Sequence, residues 1–315
     1  MDSPKVSVIV PNYNHAEYLV QRIESILNQS YQDFEVIILD DCSTDNSKTV
    51  IAQYHSHPKI AEIIYNEQNS GSTFKQWEKG ISKAKGEFIW IAESDDWCET
   101  NLLEELIAGI TKEENTVISY CQSYCIQNTN IIQWQSQHSF LSEVVDGHEF
   151  IKKRMSANNS IFNASMVIWK KDLFYHIPKD FVNYKFCGDW LFWIELAKLG
   201  KVHISGRLLN YFRKHSNDVT GKVSQSGLNF IEELQVINQL YQEKMICESV
   251  YHNAYKKKFI QYWLTKDSIE PNNKKIIEEI INHPLSTKNS PMRLVPIGIW
   301  KGFKQKWKSS KGRQQ

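Results

Sequence analysis

The chain of 315 residues lacks several features that would define its class at once. No segment approaches 18 consecutive apolar residues, so the sequence predicts no membrane-spanning helix. The N-terminus has no basic segment followed by an apolar one, and a strand-like run begins at Val6, so we expect no signal peptide. Internal repeats and a Pro/Gly/Ser-rich linker are also absent, which favours one large domain with a smaller appendage.

Cysteine pairing motifs are missing as well. The six cysteines include no Cys-x-x-Cys pair. Cys121 and Cys125 are four residues apart, but no second His or Cys pair lies near them, which argues against a zinc site. We therefore expect a cytoplasmic protein with reduced thiols. The cysteines are Cys42, Cys98, Cys121, Cys125, Cys187 and Cys247.

Acidic residues are absent from the end of the chain. The whole chain is nearly balanced, with 37 Lys and Arg against 36 Asp and Glu, and gives no sign of a nucleic-acid partner. Residues 280–315, in contrast, carry eight Lys or Arg and no Asp or Glu. Trp300, Phe303 and Trp307 have helical spacing, so residues 292–315 are predicted to lie on an anionic membrane, on its cytoplasmic face. A solubilising tail is the alternative.

Strand-like and helix-like segments alternate over the first hundred residues. This alternation predicts an α/β fold with a mostly parallel central sheet flanked by helices. Helical periodicity returns after residue 226, which predicts a helical C-terminal extension. The predicted strands are 6–10, 34–39, 60–65 and 88–92, with later ones at 116–134 and 161–169; the predicted domains are 1–215, 216–290 and a basic tail, 291–315.

Two of the predicted strands end in paired carboxylates. Asp40 and Asp41 follow the second strand, and Asp95 and Asp96 follow the fourth. The carboxyl ends of parallel strands share one edge of a sheet, where such folds bind ligands. A divalent cation takes oxygen ligands and can bridge to a phosphate, which relieves the repulsion between neighbouring carboxylates. A single Asp-Asp pair is more typical of a solvated turn, but two strands that end in the same way predict a metal and nucleotide site.

Glycine is absent from the segment after the first strand. A dinucleotide-dependent oxidoreductase needs Gly-x-Gly-x-x-Gly there, and residues 11–17 contain none. A nucleotidyltransferase would need a Gly-rich loop bearing Arg or Lys at the same place. Both classes are thus disfavoured, whereas a catalytically inactive binding subunit stays open as an alternative to an enzyme.

The sequence contains a series of short motifs: Val6–Asn14, Gln29–Glu35, Asp40–Asp45, Asn69–Gly71, Gly80–Ile81, Ala84–Ile89 and Ser94–Asp96. Together they resemble family 2 of the nucleotide-sugar glycosyltransferases, over roughly residues 5–215. The resemblance implies a GT-A fold and inverting transfer of a sugar from a nucleotide-diphosphate donor, most commonly a UDP-sugar. It also implies a saccharide or lipid-linked saccharide acceptor and a role in bacterial surface-polysaccharide assembly.

The resemblance also implies roles for residues of the donor site. The donor is expected to contact Pro11, Tyr13, Asp41 and Asp95. Asp96 is expected to bind the divalent ion, Mn²⁺ or Mg²⁺. For Lys75 and His215 a functional role and a purely structural one both remain open. Lys75 stands where many members have an Arg facing the diphosphate, and is otherwise a solvated lysine. His215 completes the metal or diphosphate site in many members, and is otherwise a surface histidine.

A later motif, Gly188-Asp189-Trp190, resembles the family's acid followed by aromatic residues at a helix start. Asp189 then matches the catalytic base, which removes the proton of the acceptor hydroxyl. The alternative is a helix N-cap. Residues 158–166 lie where the family usually builds its acceptor wall, and we predict acceptor contacts at Asn163, Ser165 and Trp190.

Overall fold

The computed structural model describes residues 3–127, 131–215 and 226–311, with side chains as far as Lys301. Its contacts divide the chain into two units. The first comprises Met1–Phe150 and Ile161–His215, and the second Ile151–Ser160 and Ser216–Gln315.

The strands of the first unit form one mixed sheet in the order β3-β2-β1-β4-β9-β6-β10-β5, with β7 beside β6 and β8 beside β10. The strands are β1 (Val6–Asn12), β2 (Phe34–Asp40), β3 (Ile60–Tyr65), β4 (Phe88–Ile91), β5 (Trp97–Cys98), β6 (Thr116–Gln127), β7 (Ile132–Gln135), β8 (Ser142–Asp146), β9 (Val167–Lys170) and β10 (Lys201–Lys214). The helices are α1 (Ala16–Leu27), α2 (Ser47–Ala52), α3 (Thr73–Lys83), α4 (Leu102–Ile110), α5 (Gly147–Phe150) and α6 (Gly188–Ala197), with 3₁₀ turns at Ala164–Met166, Lys171–His176 and Asp180–Asn183.

The predicted α/β fold is confirmed, and its parallel part is the half built by β3, β2, β1 and β4. The other half is mixed, because β9 runs antiparallel to both β4 and β6. The strand predicted at 161–169 is wrong at its start, since a 3₁₀ turn precedes β9 and lies at the sheet edge.

Pro11 was expected to end the first strand, but β1 continues to Asn12. Proline has no N–H for a sheet ladder, so it suits a position where pairing on one side has stopped. The pairing of β1 with β4 ends at Ile9 opposite Ile91, two residues before Pro11. Pro11 can therefore remain paired with β2, and its missing N–H interrupts no hydrogen bonding between β1 and β4.

The order of the strands places a topological switch between β1 and β4. From β1 the chain builds outward through β2 and β3, and then returns to pair β4 with the other side of β1. Open α/β sheets bind ligands outside the carboxyl ends of the strands at such a point. The segments that follow β1 and β4 are residues 13–15 and 92–96.

In the second unit, four helices of the described segments pack with the short segment 151–160. Their core holds a buried ion pair, in which Lys258 Nζ lies 2.6 Å from Glu233 Oε1 and 3.3 Å from Asn158 Oδ1. The helices are α7 (Leu228–Gln242), α8 (Glu248–Thr265), α9 (Pro271–Asn282) and α10 (Pro291–Lys311).

A buried histidine of the first unit generates a stability prediction. His203 is 1% exposed, with ring nitrogens 2.8 Å from Ser119 Oγ and 3.0 Å from Ser142 Oγ. Burial lowers its pKa to about 4. Its ordinary pKa is higher, so protonation favours the unfolded chain, and this destabilisation begins below about pH 6.5 and is complete below about 4.

We expect the wild type to lose about 3 kcal/mol of unfolding free energy over that pH range through this group alone. The variant His203→Gln, which cannot titrate, should show a flatter dependence. Urea denaturation at pH 7 and at pH 4.5 measures both slopes. Equal slopes for the two proteins would contradict the assignment.

Candidate functional site

Three side chains from three different segments meet at the carboxyl edge of the sheet: His15 after β1, Asp95 after β4 and His215 after β10. One potential metal-ligand atom of each lies within 4.8 Å of the others. His215 Nε2 is 3.1 Å from Asp95 Oδ2, and the two imidazole rings are 5.4 Å apart, edge to face. Asp95 and His215 were predicted from the sequence to lie near this edge, whereas His15 was not, although its position in the segment after β1 was a signal for it.

The buried surroundings of His15 favour its neutral form. Burial lowers its pKa, although the negative charge of Asp95 opposes the shift. The nitrogen Nδ1 lies 2.8 Å from Ser94 Oγ, and this contact fixes the orientation of the ring. A neutral imidazole held by a hydrogen bond at one nitrogen is the usual state of a metal-binding histidine.

Asp95 is held in its ionised form. Burial favours the neutral acid, but the hydrogen bond with His215 and the electrostatic interaction with the neighbouring imidazoles keep the pKa of Asp95 below its usual range. Two imidazole nitrogens and one carboxylate oxygen form a donor set that first-row divalent ions accept. The residues present therefore fit a divalent metal ion.

Asp96 occupies a different environment from its neighbour. It is 1% exposed and accepts hydrogen bonds from Asn163 Nδ2 at 2.5 Å, from Ser165 Oγ at 2.6 Å and from Arg213 N at 3.0 Å. Burial and the charge of Asp95 raise the pKa of Asp96 to about 7. The predicted metal ligand and the two predicted acceptor residues thus lie in one buried cluster, which we call the Asp96 cluster.

Arg213, whose role the sequence analysis missed, ties the end of β10 to the acidic segment. Its Nε donates to the carbonyl oxygen of Asp95 at 2.8 Å, and its Nη2 donates to Gln21 Oε1 at 2.7 Å. The guanidinium carbon lies 4.5 Å from the ring centre of Tyr18 and 4.4 Å from that of Trp97. Hydrogen bonds and cation–π contacts together fix its position.

Glu93 is a third carboxyl in the same segment, and no role was predicted for it. Trp77 Nε1 donates to its Oε1 at 3.1 Å. Burial, together with the charges of Asp95 and Asp96, raises the pKa of Glu93 to about 8. At neutral pH the acidic segment therefore carries less negative charge than its three carboxyl groups suggest.

Asp41, predicted to contact the donor base, organises the loop opposite. It is 5% exposed and accepts from Asn66 Nδ2 at 2.6 Å, Ser70 N at 2.9 Å, Ser70 Oγ at 2.7 Å and Gln76 Nε2 at 3.0 Å. Gly71 in this loop has a φ of +69°, in the left-handed region that glycine adopts most readily. Both oxygens of Asp41 thus hold this loop in place, and the loop forms one wall at the carboxyl edge of the sheet.

The other predicted donor residues differ in accessibility. Tyr13 is 46% exposed, whereas Pro11 is buried within β1. Lys75 is exposed in the first turn of α3, and its Nζ donates to Ser70 O at 3.4 Å. Tyr13 and Lys75 therefore have exposed surface that a ligand can contact. Pro11 instead contributes by restricting the backbone conformation at the end of β1.

Asp189 lies in the first turn of α6, half-buried, and its Oδ1 accepts from Trp190 N at 2.7 Å. The N-cap of this helix is Cys187, so Asp189 is not the cap. A Cβ on Gly188 would lie 2.3 Å from a ring carbon of Phe74, in the first turn of α3. Trp190, a predicted acceptor contact, is 2% exposed, so its ring does not present a surface to a saccharide.

A comparison of the sequence with known families gives one decisive match. The model of Glycosyl transferase family 2 matches residues 7–177, more than half of the chain. The chain belongs to this family. The family and its enzyme class, a glycosyltransferase, agree with the predictions made from the strand-end motifs.

Relatives in bacteria support the assignment. Glycosyltransferase GlyG of Streptococcus pneumoniae is 34% identical over 179 residues, which cover 55% of this chain and 58% of GlyG. Poly(ribitol-phosphate) beta-N-acetylglucosaminyltransferase TarS of Staphylococcus aureus is 32% identical over 116 residues, covering 36% of this chain and 20% of TarS. The alignments thus span little more than half of GlyG and a fifth of TarS.

Solved structures share the fold of this family 2 glycosyltransferase. Residues 1–349 of S. aureus TarS, crystallised in complex with UDP-GlcNAc, match with a TM-score of 0.68 and 20% identity. The match covers 88% of this chain and 80% of that one. The same TarS segment crystallised with UDP matches with a TM-score of 0.54. The predicted GT-A-like architecture is confirmed at the level of the fold.

The different surroundings of the two adjacent aspartates predict different effects of the same substitution. Asp96→Asn replaces an acceptor of three buried hydrogen bonds and should lower the free energy of unfolding by about 1–3 kcal/mol. Asp95→Asn, closer to the surface, should cost less than about 1 kcal/mol. Urea denaturation of both variants in the absence of divalent ions tests this, and equal losses would count against the Asp96 cluster.

Proposed function

We propose that this chain transfers a sugar from a nucleotide-diphosphate donor to a hydroxyl group, with inversion at the anomeric carbon and with the assistance of a divalent ion. The observation that carries the proposal is the convergence of His15, Asp95 and His215 at the topological switch of the sheet, within a family 2 domain. This edge is where an α/β sheet receives a nucleotide.

The ionised Asp95 and the imidazole of His215 would hold the ion. When bound, the ion supplies positive charge that neutralises the departing diphosphate. Asp96, which the resemblance matched to the metal ligand, has three of its roughly four lone-pair directions engaged by protein donors. We therefore assign to Asp96 the positioning of the acidic segment, and to Asp95 and His215 direct binding of the ion.

The nucleoside would lie between the segment after β1 and the loop that Asp41 organises. Tyr13 offers an exposed ring for stacking on a base, and the ordered loop 66–72 gives the opposite wall. Lys75 adds a point charge at the start of α3, next to Ser70. UDP is the nucleotide we propose, because TarS, which shares this fold, was crystallised with UDP and with UDP-GlcNAc.

Asp189 is the residue we propose as general base. Inversion by a single displacement needs one carboxylate that accepts the proton of the attacking hydroxyl, on the face opposite the leaving diphosphate. The close packing of Gly188 on Phe74 brings the start of α6, with Asp189, against the start of α3, with Lys75. The proposed base and the proposed diphosphate contact therefore lie on adjacent helix ends.

Assembly of a bacterial surface polysaccharide is the setting we propose. TarS is named as a transferase that acts on poly(ribitol-phosphate), which supports a polymeric acceptor for this chain as well. A saccharide, free or lipid-linked, fits the proposed reaction because it offers hydroxyl groups as nucleophiles.

The helix α10 supports a peripheral location at a membrane. None of the described helices is long and apolar enough to cross a bilayer. In α10, Leu294 is fully buried, while Met292, Ile299 and Trp300 are 90%, 45% and 52% exposed. These three positions share one helix face by their spacing, in a segment rich in Lys and Arg. Phe303 and Trp307, which continue the predicted pattern, lie outside the described side chains.

The first test of the proposed function is donor binding and turnover. We expect UDP-sugars, UDP-GlcNAc among them, to bind more tightly in the presence of Mn²⁺ or Mg²⁺ and to release UDP slowly in the absence of an acceptor. Calorimetry over a panel of nucleotides and nucleotide sugars, followed by a UDP-release assay, measures both. Binding without any turnover, with acceptors or without, would instead favour an inactive partner subunit.

Asp189→Asn should retain donor binding and lose the chemical step. We expect the rate of UDP release to fall by about 100-fold or more, because the proton acceptor is removed. The dissociation constant for UDP should stay within about threefold, since the base touches the acceptor rather than the nucleotide. The matched control is Asp172→Asn, an exposed aspartate in the 3₁₀ turn after β9. A variant with wild-type turnover would remove Asp189 from this role.

The membrane proposal is tested by flotation with vesicles of phosphatidylcholine, with and without phosphatidylglycerol. Binding should require the anionic lipid, and deletion of residues 292–315 should abolish it. Ile299→Gln with Trp300→Gln should also weaken binding without a loss of charge, because it removes exposed apolar surface. An unchanged partition of the deletion variant would refute this location.

A further inference from the structure

We propose that His15 is a third ligand of the divalent ion and that it makes the site select Mn²⁺ over Mg²⁺. The inference rests on the proposed function in one respect, the presence of a divalent ion at this edge. It adds a residue that the strand-end acids did not indicate, and it assigns the choice of ion to that residue.

The geometry favours His15 as a ligand rather than a neighbour. Its potential ligand atom belongs to the same group, within 4.8 Å, as those of Asp95 and His215. Each of the three residues comes from a different segment of the chain, so their convergence is a result of the tertiary fold. The nearly perpendicular rings of His15 and His215, at 82°, do not stack face to face.

A buried anchor fixes the ring of His15. Ser94 is 1% exposed, and its Oγ lies 2.8 Å from Nδ1 of His15. With Nδ1 engaged, Nε2 is the nitrogen that remains for the ion. A hydrogen bond to the non-ligating nitrogen is the common way in which proteins orient a metal-binding histidine. Ser94 sits directly before Asp95, so one short segment supplies both a ligand and the anchor of another.

The donor set determines which ion is preferred. Mg²⁺ binds oxygen ligands, holds its waters tightly and rarely accepts imidazole. Mn²⁺ accepts both carboxylate and imidazole, and the later first-row ions bind such sites more tightly still. Without His15, one carboxylate and one imidazole remain, a set that discriminates less strongly between the two ions. His15 therefore contributes more to Mn²⁺ affinity than to Mg²⁺ affinity.

Calorimetric titration of the full chain with MnCl₂ and with MgCl₂, each with and without UDP, tests the inference. We expect the wild type to bind Mn²⁺ at least about tenfold more tightly than Mg²⁺. His15→Asn should weaken Mn²⁺ binding by about tenfold or more and change Mg²⁺ binding by less than about threefold. The control His148→Asn, an exposed histidine on α5, should change neither affinity. Thermal unfolding of each variant without metal confirms that it folds.

A spectroscopic measurement separates ligation from a general effect on the site. Co²⁺ in place of Mn²⁺ gives visible absorption bands that respond to the number of nitrogen ligands. His15→Asn and His215→Asn should each shift these bands, whereas His148→Asn should not. Ser94→Ala should keep the bands and weaken binding by a smaller factor, because it loosens the ring of His15 without removing it.

Two results would overturn the inference: Mn²⁺ affinity unchanged in His15→Asn, or a wild type that binds neither ion with or without UDP. The assay of UDP release distinguishes these from failure of the proposed function. If His15→Asn binds Mn²⁺ normally while the wild type turns over UDP-sugars, the function stands and the role of His15 falls. If Mn²⁺ binding depends on His15 but no donor is turned over, the metal site stands without the proposed reaction.

Discussion

The site depends on the burial of one carboxylate. Asp96 receives hydrogen bonds from the 3₁₀ turn before β9, through Ser165 and the adjacent Asn163, and from the backbone of Arg213 near the end of β10. These bonds join three segments that are far apart in the sequence. Removing any donor would leave a buried charge or a buried polar group unpaired, which is costly in a low-dielectric interior. Because these bonds hold the acidic segment and the end of β10, they also determine where Asp95 and His215 lie beside the Asp96 cluster.

Three carboxyl groups within four residues would repel one another if all were ionised. The fold separates them by environment. Burial and mutual repulsion raise the pKa of Glu93 to about 8 and that of Asp96 to about 7, while imidazole neighbours hold the pKa of Asp95 low. One ionised carboxylate beside two carboxyl groups with raised pKa values concentrates the negative charge of the segment on Asp95.

The sequence predicted the parts of the site that depend on local order. Strand ends at Asp41 and Asp95, and the helix start at Asp189, are visible because apolar runs and helical periodicity mark where elements stop. The contacts of Asn163 and Ser165 with Asp96 were not predictable, because they depend on the register of β9 against β4 and β6. A single sequence also concealed the buried position of Trp190, which was expected to contact the acceptor.

His15 and Arg213 show a second limit. His15 follows a predicted strand, whereas β10, near whose end Arg213 lies, was not predicted. Only the order of the strands reveals that the ends of β1, β4 and β10 share one edge. That order depends on long-range pairing, and a single sequence carries little information about it. The fold class could therefore be predicted with few errors, while the partners of each functional side chain required the tertiary structure.

The packing of Gly188 on Phe74 has a consequence for how the enzyme tolerates change. The two elements that carry the proposed base and the proposed diphosphate contact touch where only a hydrogen atom fits between them. The spacing between the proposed base and the proposed diphosphate contact therefore depends on a glycine, one position before Asp189. An added methyl group there would push two reacting partners apart while the metal-binding edge keeps its own geometry. A substitution that touches neither the nucleotide nor the metal would in this way uncouple donor binding from transfer.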